Sequence, residues 1–325
     1  MIRAAWATLK LHRVEVIVGS TLALVSAAWA TWVEVRMAGV TPPAECMDIL
    51  VTHGYEALGE CTAAVRAWAT ILVEAGDSFR QYHEFLPWVV GSLVGVPIVA
   101  RELELRTASM AWSMEPSRNR WLVRQFLPIL GVVGLAVAAA AIGATAIDRD
   151  NTIWSGGYRD FTHIGHYGPG LVARAFGAFG IGILAGSLIG RQLPAFVLAI
   201  MVSVISVPGL TPARDAWLDL HPTHVLNGEP GVPTAWGWRA PDGVVMTHEE
   251  ALAFVPPEIA AQDEGQVQPL NAAAWLYERG YQEVSFGVSM DTAFGWAPLE
   301  AMTYIGLGLL SIGAAALFVN RRRPT

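Results

Sequence analysis

Six apolar stretches recur along the chain, and polar segments of very unequal length separate them. A membrane-crossing helix needs about 20 mostly apolar residues. The stretches are 14–33 (VEVIVGSTLALVSAAWATWV), 85–100, 121–147, 171–190, 194–210 and 298–319. The second is short and is expected to extend backward into the preceding segment. The first has a basic start and small residues near Ala30, as a cleaved leader would. Its apolar run is longer than a usual leader core, and five further stretches follow, so an uncleaved first span is expected.

The segments between them divide the chain further. Residues 1–35 hold an amphipathic start, MIRAAWATLKLHR, with Trp6 placed for the headgroup region, and then the first span. Segment 36–85 contains a helical pattern at 61–84, with Val65, Trp68, Ile71 and Leu72 on one side and Arg66, Glu74 and Asp77 on others. Spans two to five occupy 86–210. Segment 211–297 is too long for a plain connection and is expected to fold as a small cap. Within it THEEALAF has Thr247 as a helix N-cap and Glu250 three residues on, and PLNAAAWLYERG reads as a helix closed by Gly280. Residues 298–325 hold the sixth span and a basic tail.

Composition agrees with a membrane protein. Of 325 residues 53% are hydrophobic and only 15% charged, and the mean hydropathy is +0.41. The formal charge of −7 argues against a nucleic-acid partner. Basic residues set the orientation. With the N-terminus inside, segments 1–13, 101–124, Arg191 and 321–323 carry 12 of the 21 Lys and Arg. Segment 211–297 has twelve Asp and Glu against Arg214, Arg239 and Arg279. Short basic loops stay on the cytoplasmic side. The expected fold class is therefore an all-α membrane protein with six transmembrane helices, N-in and C-in, with large extracellular loops.

Several chemistries lack their residues. There is no GxxxxGK[ST] phosphate loop, and the single lysine, Lys10, follows no glycine loop. GxSxG and HExxH are absent, so no catalytic residues are assigned. Glu15, Arg174 and Glu300 lie near span ends, where snorkelling or capping is the ordinary role. His163/His166 and His221/His224 have HxxH spacing, but no cysteine or carboxylate completes either set, so no metal site is assigned. Cys46 and Cys61 both fall in the first outer loop, where an oxidising compartment favours a disulfide.

The most charged stretch, ARELELRTASMAWSMEPSRNRWLVRQ (100–125), lies between spans two and three. Residues 101–114 lack Gly and Pro and read as one helix. Glu102 and Arg106 are four apart, in the favourable order for a pair. Leu103, Thr107, Met110, Ala111 and Met114 share one side of that helix, and Arg101, Leu105, Ala108 and Trp112 another. Pro116 ends it and Ser117 caps the next. Arg118, Arg120, Trp121 and Arg124 then form a membrane-interface anchor where the third span enters.

This stretch resembles a pattern, ARE-x-E-x-GT-x-x-x-AWT…SR-x-RW, of the permease subunits of bacterial type-2 ABC exporters. The resemblance rests on Ala100, Arg101, Glu102, Glu104, Thr107, Ala111, Trp112, Ser117, Arg118, Arg120 and Trp121. Arg106 stands where that family often has glycine, and Ser113 where it often has threonine. AFGAFGIGILAGSLIGRQLPAFVLAI resembles its fourth and fifth spans through Gly186, Arg191, Pro194 and Ala195. DTAFGWAPLEA resembles the motif before its last span through Phe294, Trp296 and Glu300. The resemblance implies a multi-pass protein of the bacterial plasma membrane that works as a homodimer with two copies of a cytoplasmic ABC ATPase. ATP and magnesium would bind that ATPase, and this chain would hold no cofactor. Residues 101–113 would be a cytoplasmic coupling helix: Arg101, Glu102, Glu104, Arg106 and Thr107 would serve the ATPase contact, and Trp112 would wedge the helix against the spans. The substrate would be amphipathic: a drug, a lipid or peptide-like. The alternative is a non-transporting membrane scaffold or sensor that acts through its outer cap.

Overall fold

The computed structural model describes residues 2–53, 58–155, 161, 164–226, 231–260 and 270–322. His163 and the end of the tail, 323–325, lie outside the described residues. The chain forms two compact units. The first comprises 1–153, 163–212 and 297–325; the second comprises 154–162 and 213–296.

The first unit is helical. Helix α1 (Ile2–Leu11) leads into α2 (Arg13–Ala38), and α3 (Ala44–His53) follows. Helix α4 (Thr62–Gly95) runs 34 residues and is followed by α5 (Pro97–Glu104) and α6 (Ala108–Ser113). Helix α7 (Arg118–Ser155), α8 (Gly168–Ile189) and α9 (Gln192–Asp219) come next. Six helical stretches are long and apolar enough to cross a membrane: Arg13–Ala38, Gly59–Glu104, Arg118–Thr145, Gly168–Ile189, Gln192–Asp219 and Met290–Arg321. These are the six expected apolar stretches. The helical pattern at 61–84 and the second span prove to be one helix, α4, with Val65, Trp68 and Leu72 buried as the pattern predicts. Pro87 sits inside it without ending it. Cys46 and Cys61 are bonded, with Cα atoms 5.4 Å apart, and tie α3 to the turn that opens α4.

Helix α8 is the axis of this unit. Leu171, Ala178 and Ile183 on it are fully buried. Small residues let membrane helices approach closely. Gly91 and Gly95 of α4 press on the α8 backbone between Ala175 and Phe179, so any Cβ at Gly95 would collide with the Phe179 carbonyl. Across α8, Gly180 lies against the backbone of Gly308 in the last helix, α14, described below. The apolar core also takes in Val90, Val94, Ile129, Val133 and Phe179.

The second unit holds a four-stranded antiparallel sheet of order β1-β4-β2-β3. Its strands are β1 (His224–Val225), β2 (Gly231–Arg239), β3 (Val245–Thr247) and β4 (Gln282–Ser289). Short helices α10 (His248–Leu252), α11 (Pro257–Ala260), α12 (Leu270–Glu278) and α13 (Met290–Phe294) accompany it. The chain ends in α14 (Trp296–Arg321). The sheet departs from the all-α expectation, which holds for the spans alone. Pro233 and three glycines in β2 and β4 hide the strand alternation, and the register shifts between Pro233 and Ala235. Trp238 anchors this unit's core against Ala251, Val255, Ala272 and Leu276. The capping box at Thr247 and Glu250 forms as expected, with each side chain bonded to the other's backbone.

Candidate functional site

The hairpin at 97–117 is rooted by Pro97, Ile98, Val99 and Ala100, all buried. Residues 101–114 do not form the single helix expected. The chain turns after Glu104 and resumes at Ala108, and Arg106 adopts φ +58°, a left-handed conformation that suits glycine. This accounts for glycine at that place in the resembled pattern. It also cancels the Glu102–Arg106 pair, because residues either side of a left-handed turn do not share a helix face. Glu102 instead accepts from the Thr107 hydroxyl, and its backbone carbonyl accepts from the Thr107 amide at 3.0 Å.

The other charges of the stretch tie the hairpin to its neighbours. Glu104 accepts from the backbone amide of Gln192 at 3.0 Å and from its side-chain amide at 3.2 Å. A carboxylate thereby caps the N-terminus of α9, where amides are unsatisfied and the helix dipole favours negative charge. Arg101 donates to the Leu11 carbonyl at 2.7 Å and lies 3.6 Å from Glu15, joining the hairpin to the α1–α2 junction. His12 at that junction is 1% exposed, and neither ring nitrogen finds a partner among the described residues. Burial pushes its pKa below the ordinary value. Glu15 and Glu102 oppose the shift, and Arg101 reinforces it.

Two members of the expected interface anchor have different roles. Arg118 donates to the carbonyls of Val319, Asn320 and Arg322, and so caps the C-terminal end of α14. Its guanidinium also lies 4.6 Å from the centre of the Trp112 ring. Trp121 is buried and meets Trp112 edge-on at 6.1 Å. Helix-end carbonyls and the Trp112 ring engage Arg118, and Trp112 engages Trp121. Arg124 pairs with Glu115, and Arg120 remains exposed. Ser117 accepts from the Arg120 amide, as its N-cap position predicts. Arg322 caps α8 by donating to the Ser187 carbonyl at 2.7 Å.

What the hairpin leaves exposed is its tip: Leu105, Arg106, Thr107, Met110 and Met114, with Leu105, Met110 and Met114 between 60% and 69% exposed. Sequence reasoning chose the charges and passed over these apolar residues. The break at Arg106 decides which side chains point away, and only the family's glycine marked that position.

A second constellation lies within the spans. Arg174 of α8 donates through Nε (2.9 Å) and Nη2 to Oε1 of Glu300 on α14. The two residues are 4% and 6% exposed. The rings of Trp88 on α4 and Tyr304 on α14 each centre 5.7 Å from the guanidinium carbon. Gly165, in the 3₁₀ turn Ile164–His166, packs so closely on the guanidinium that a Cβ there would have to displace it. Nη1 of Arg174 finds no partner among the described residues. Glu300 and Arg174 therefore do not snorkel as expected; each lies one to two helical turns in from a helix start and is held by the other. Position along the apolar run could not reveal this, because pairing needs two helices side by side.

The histidines take other roles. His221 bonds the Trp217 carbonyl at 2.6 Å through Nδ1, and His224 lies on the edge strand β1. Among the described residues no three His, Cys, Asp or Glu side chains gather as a metal site. In the second unit Tyr277 donates to Glu283 at 2.8 Å, and that bond raises the pKa of its phenol, with burial adding to the shift.

A family model described as ABC-2 membrane transporter related matches residues 20–212. No curated protein and no solved structure matches the chain.

Proposed function

Because the chain belongs to the ABC-2 membrane transporter related family and is a multi-pass membrane protein of the ABC-2 permease type, we propose that it is the membrane-spanning subunit of an ATP-driven exporter. It works with a separate cytoplasmic ABC ATPase in two copies and with a second copy of itself, in a bacterial plasma membrane. The substrate class is amphipathic, since the six spans offer apolar surface and the buried Arg174 and Glu300 neutralise each other. The arginines of segment 101–124 and of the tail favour a cytoplasmic placement of both ends. The Cys46–Cys61 bond favours an oxidising, outer placement of the segment between spans one and two.

The observation that carries the reading is the hairpin. Its root is buried, its charges clamp it to the α1–α2 junction and to the start of α9, Arg118 just after it holds the end of α14, and its tip presents Leu105, Arg106, Met110 and Met114 outward. Such an element passes force applied at the tip to several spans at once. We assign the ATPase contact to this tip. Arg101, Glu102, Glu104, Thr107 and Trp112 shape and anchor the hairpin.

The test is co-purification of the full chain with an ATP-hydrolysing subunit. Met110→Asp and Arg106→Glu are expected to lower the amount of ATPase recovered while leaving the chain folded. Normal recovery with both variants refutes the assignment of the tip. A wild-type chain that recovers no ATP hydrolysis refutes the permease reading and favours the scaffold, with the folded second unit as its binding module.

A further inference from the structure

The paired charges inside the spans call for an explanation that stability does not supply. Desolvating an arginine and a glutamate costs more than a well-packed apolar pair of the same volume, so a buried pair is poor evidence for a stabilising role. Ionisable groups in spans most often serve a functional step. Here the pair bridges α8 and α14, the fourth and sixth spans, near the end where α8 begins and α14 begins.

The contact below it gives the pair leverage. Gly180 and Gly308 bring the same two helices into backbone contact. Arg174 is six residues from Gly180 and Glu300 eight from Gly308, about 9 and 12 Å along the helices at 1.5 Å per residue. A close glycine contact without side chains to interlock can act as a fulcrum. A charge pair one arm's length away then sets whether the ends stay together. Around the pair, Trp88, Ala173, Ala178 and Tyr304 form a buried aromatic and small-residue cluster. Ser206 on α9 reaches the Tyr304 hydroxyl at 3.4 Å, so the fifth span borders the same cluster.

We propose that Arg174 and Glu300 form a latch that holds the starts of the fourth and sixth spans together at the outer face, and that the latch opens when the ATPase binds ATP. This rests on the permease reading given above. When the helix ends part, the guanidinium keeps Trp88 and Tyr304 as partners only in part, and both charges gain water. The cost of exposing the aromatic cluster is thus offset by solvating the ions, which makes the closed and open arrangements close in energy. An apolar pair at these positions would lack that compensation.

The experiment labels a buried thiol from outside. Ala173, 3% exposed in the cluster, is changed to cysteine in the full chain bound to its co-purifying ATPase. Cys46 and Cys61 are bonded to each other and do not react. The probe is a charged, membrane-impermeant methanethiosulfonate. Labelling is expected to be slow without nucleotide and to rise by about tenfold or more when ATP and vanadate are added to trap the ATPase as its ADP–vanadate complex, within the usual range of a conformational coupling. In the Glu300→Gln background labelling is expected to be fast already, with little further rise on ATP. The exchange variant Arg174→Glu with Glu300→Arg is expected to restore slow, ATP-dependent labelling. Should Ala173→Cys fail to fold, Ala301→Cys on the facing helix reads the same cluster. Labelling that ignores ATP, in a complex that hydrolyses it, overturns the latch and leaves the permease standing, since a mere brace would respond to Glu300→Gln alone. Absence of ATP hydrolysis in the purified complex overturns the permease reading, and the latch with it.

Discussion

Removing one charge of the Arg174–Glu300 pair should cost far more than removing both. Glu300→Gln leaves the Arg174 guanidinium 4% exposed with no countercharge on Oε1, and its Nη1 already lacks a partner among the described residues. Breaking a buried pair from one side costs about 3–5 kcal/mol. Trp88 and Tyr304 remain, but at 5.7 Å each lies near the limit of a useful cation–π distance, so together they recover only about 1 kcal/mol. The expected loss is therefore about 3 kcal/mol, at the lower end of the range. For a unit of this size that lowers the midpoint of thermal unfolding by about 6–12 °C. The double variant Arg174→Met with Glu300→Met removes both desolvation costs and should be neutral or more stable than wild type by about 1–4 kcal/mol. The measurement is tryptophan-monitored thermal unfolding in mild detergent for wild type, both single variants and the double. If Glu300→Gln unfolds within about 1 kcal/mol of wild type and the two single effects simply add, the pair is hydrated and the argument from burial is wrong.

Three further outcomes follow from the geometry. Arg106→Gly relieves a left-handed residue worth about 1–2 kcal/mol and adds unfolded-chain entropy worth about 0.5–1 kcal/mol, so it should be slightly stabilising, whereas Arg106→Val should be destabilising in the same unfolding assay. His12 is held neutral in the fold with its pKa below 6.5. Above pH 6.5 both states are neutral and no pH dependence arises from it; as pH falls from 6.5 toward the lower folded value, the unfolded chain takes up a proton that the folded chain refuses, and stability declines. His12→Leu should flatten that decline, and hydrogen exchange across α1 as a function of pH would reveal a contrary result. Reducing the Cys46–Cys61 bond reopens a loop with sequence separation 15 and should cost about 3 kcal/mol in the chain-entropy model, seen as faster amide exchange in α3 and the start of α4 with no change in α8.

The spans were legible because each is a continuous apolar run, and a run of that length has few other fates. The same is true of features that depend on neighbours in sequence: the capping box at Thr247 and Glu250, the helix closed by Gly280, and the cap at Ser117. The second unit's sheet was not legible, because its strands contain Pro233 and several glycines and their partners lie far apart in the chain, as for His224 and Gly287 or Gly231 and Ser289. The hairpin was half legible. Its place between spans, its charge and its turn at Pro116 could be read, but helix propensity over 101–114 predicted one helix where a left-handed Arg106 makes two.

Sequence by itself thus determined six spans, the position of a charged hairpin between the second and third, and the separate unit between the fifth and sixth. Those are properties of residues counted along one chain. The tertiary structure decided what the charges do. Glu104 and Arg118 cap helices that begin or end far away in sequence, at Gln192 and around Asn320. Arg174 and Glu300, 126 residues apart, meet only because glycines let α8 and α14 touch. A charge near the end of an apolar run can reach water or reach another helix, and the run looks the same in both cases. Packing is what removes the water and supplies the partner.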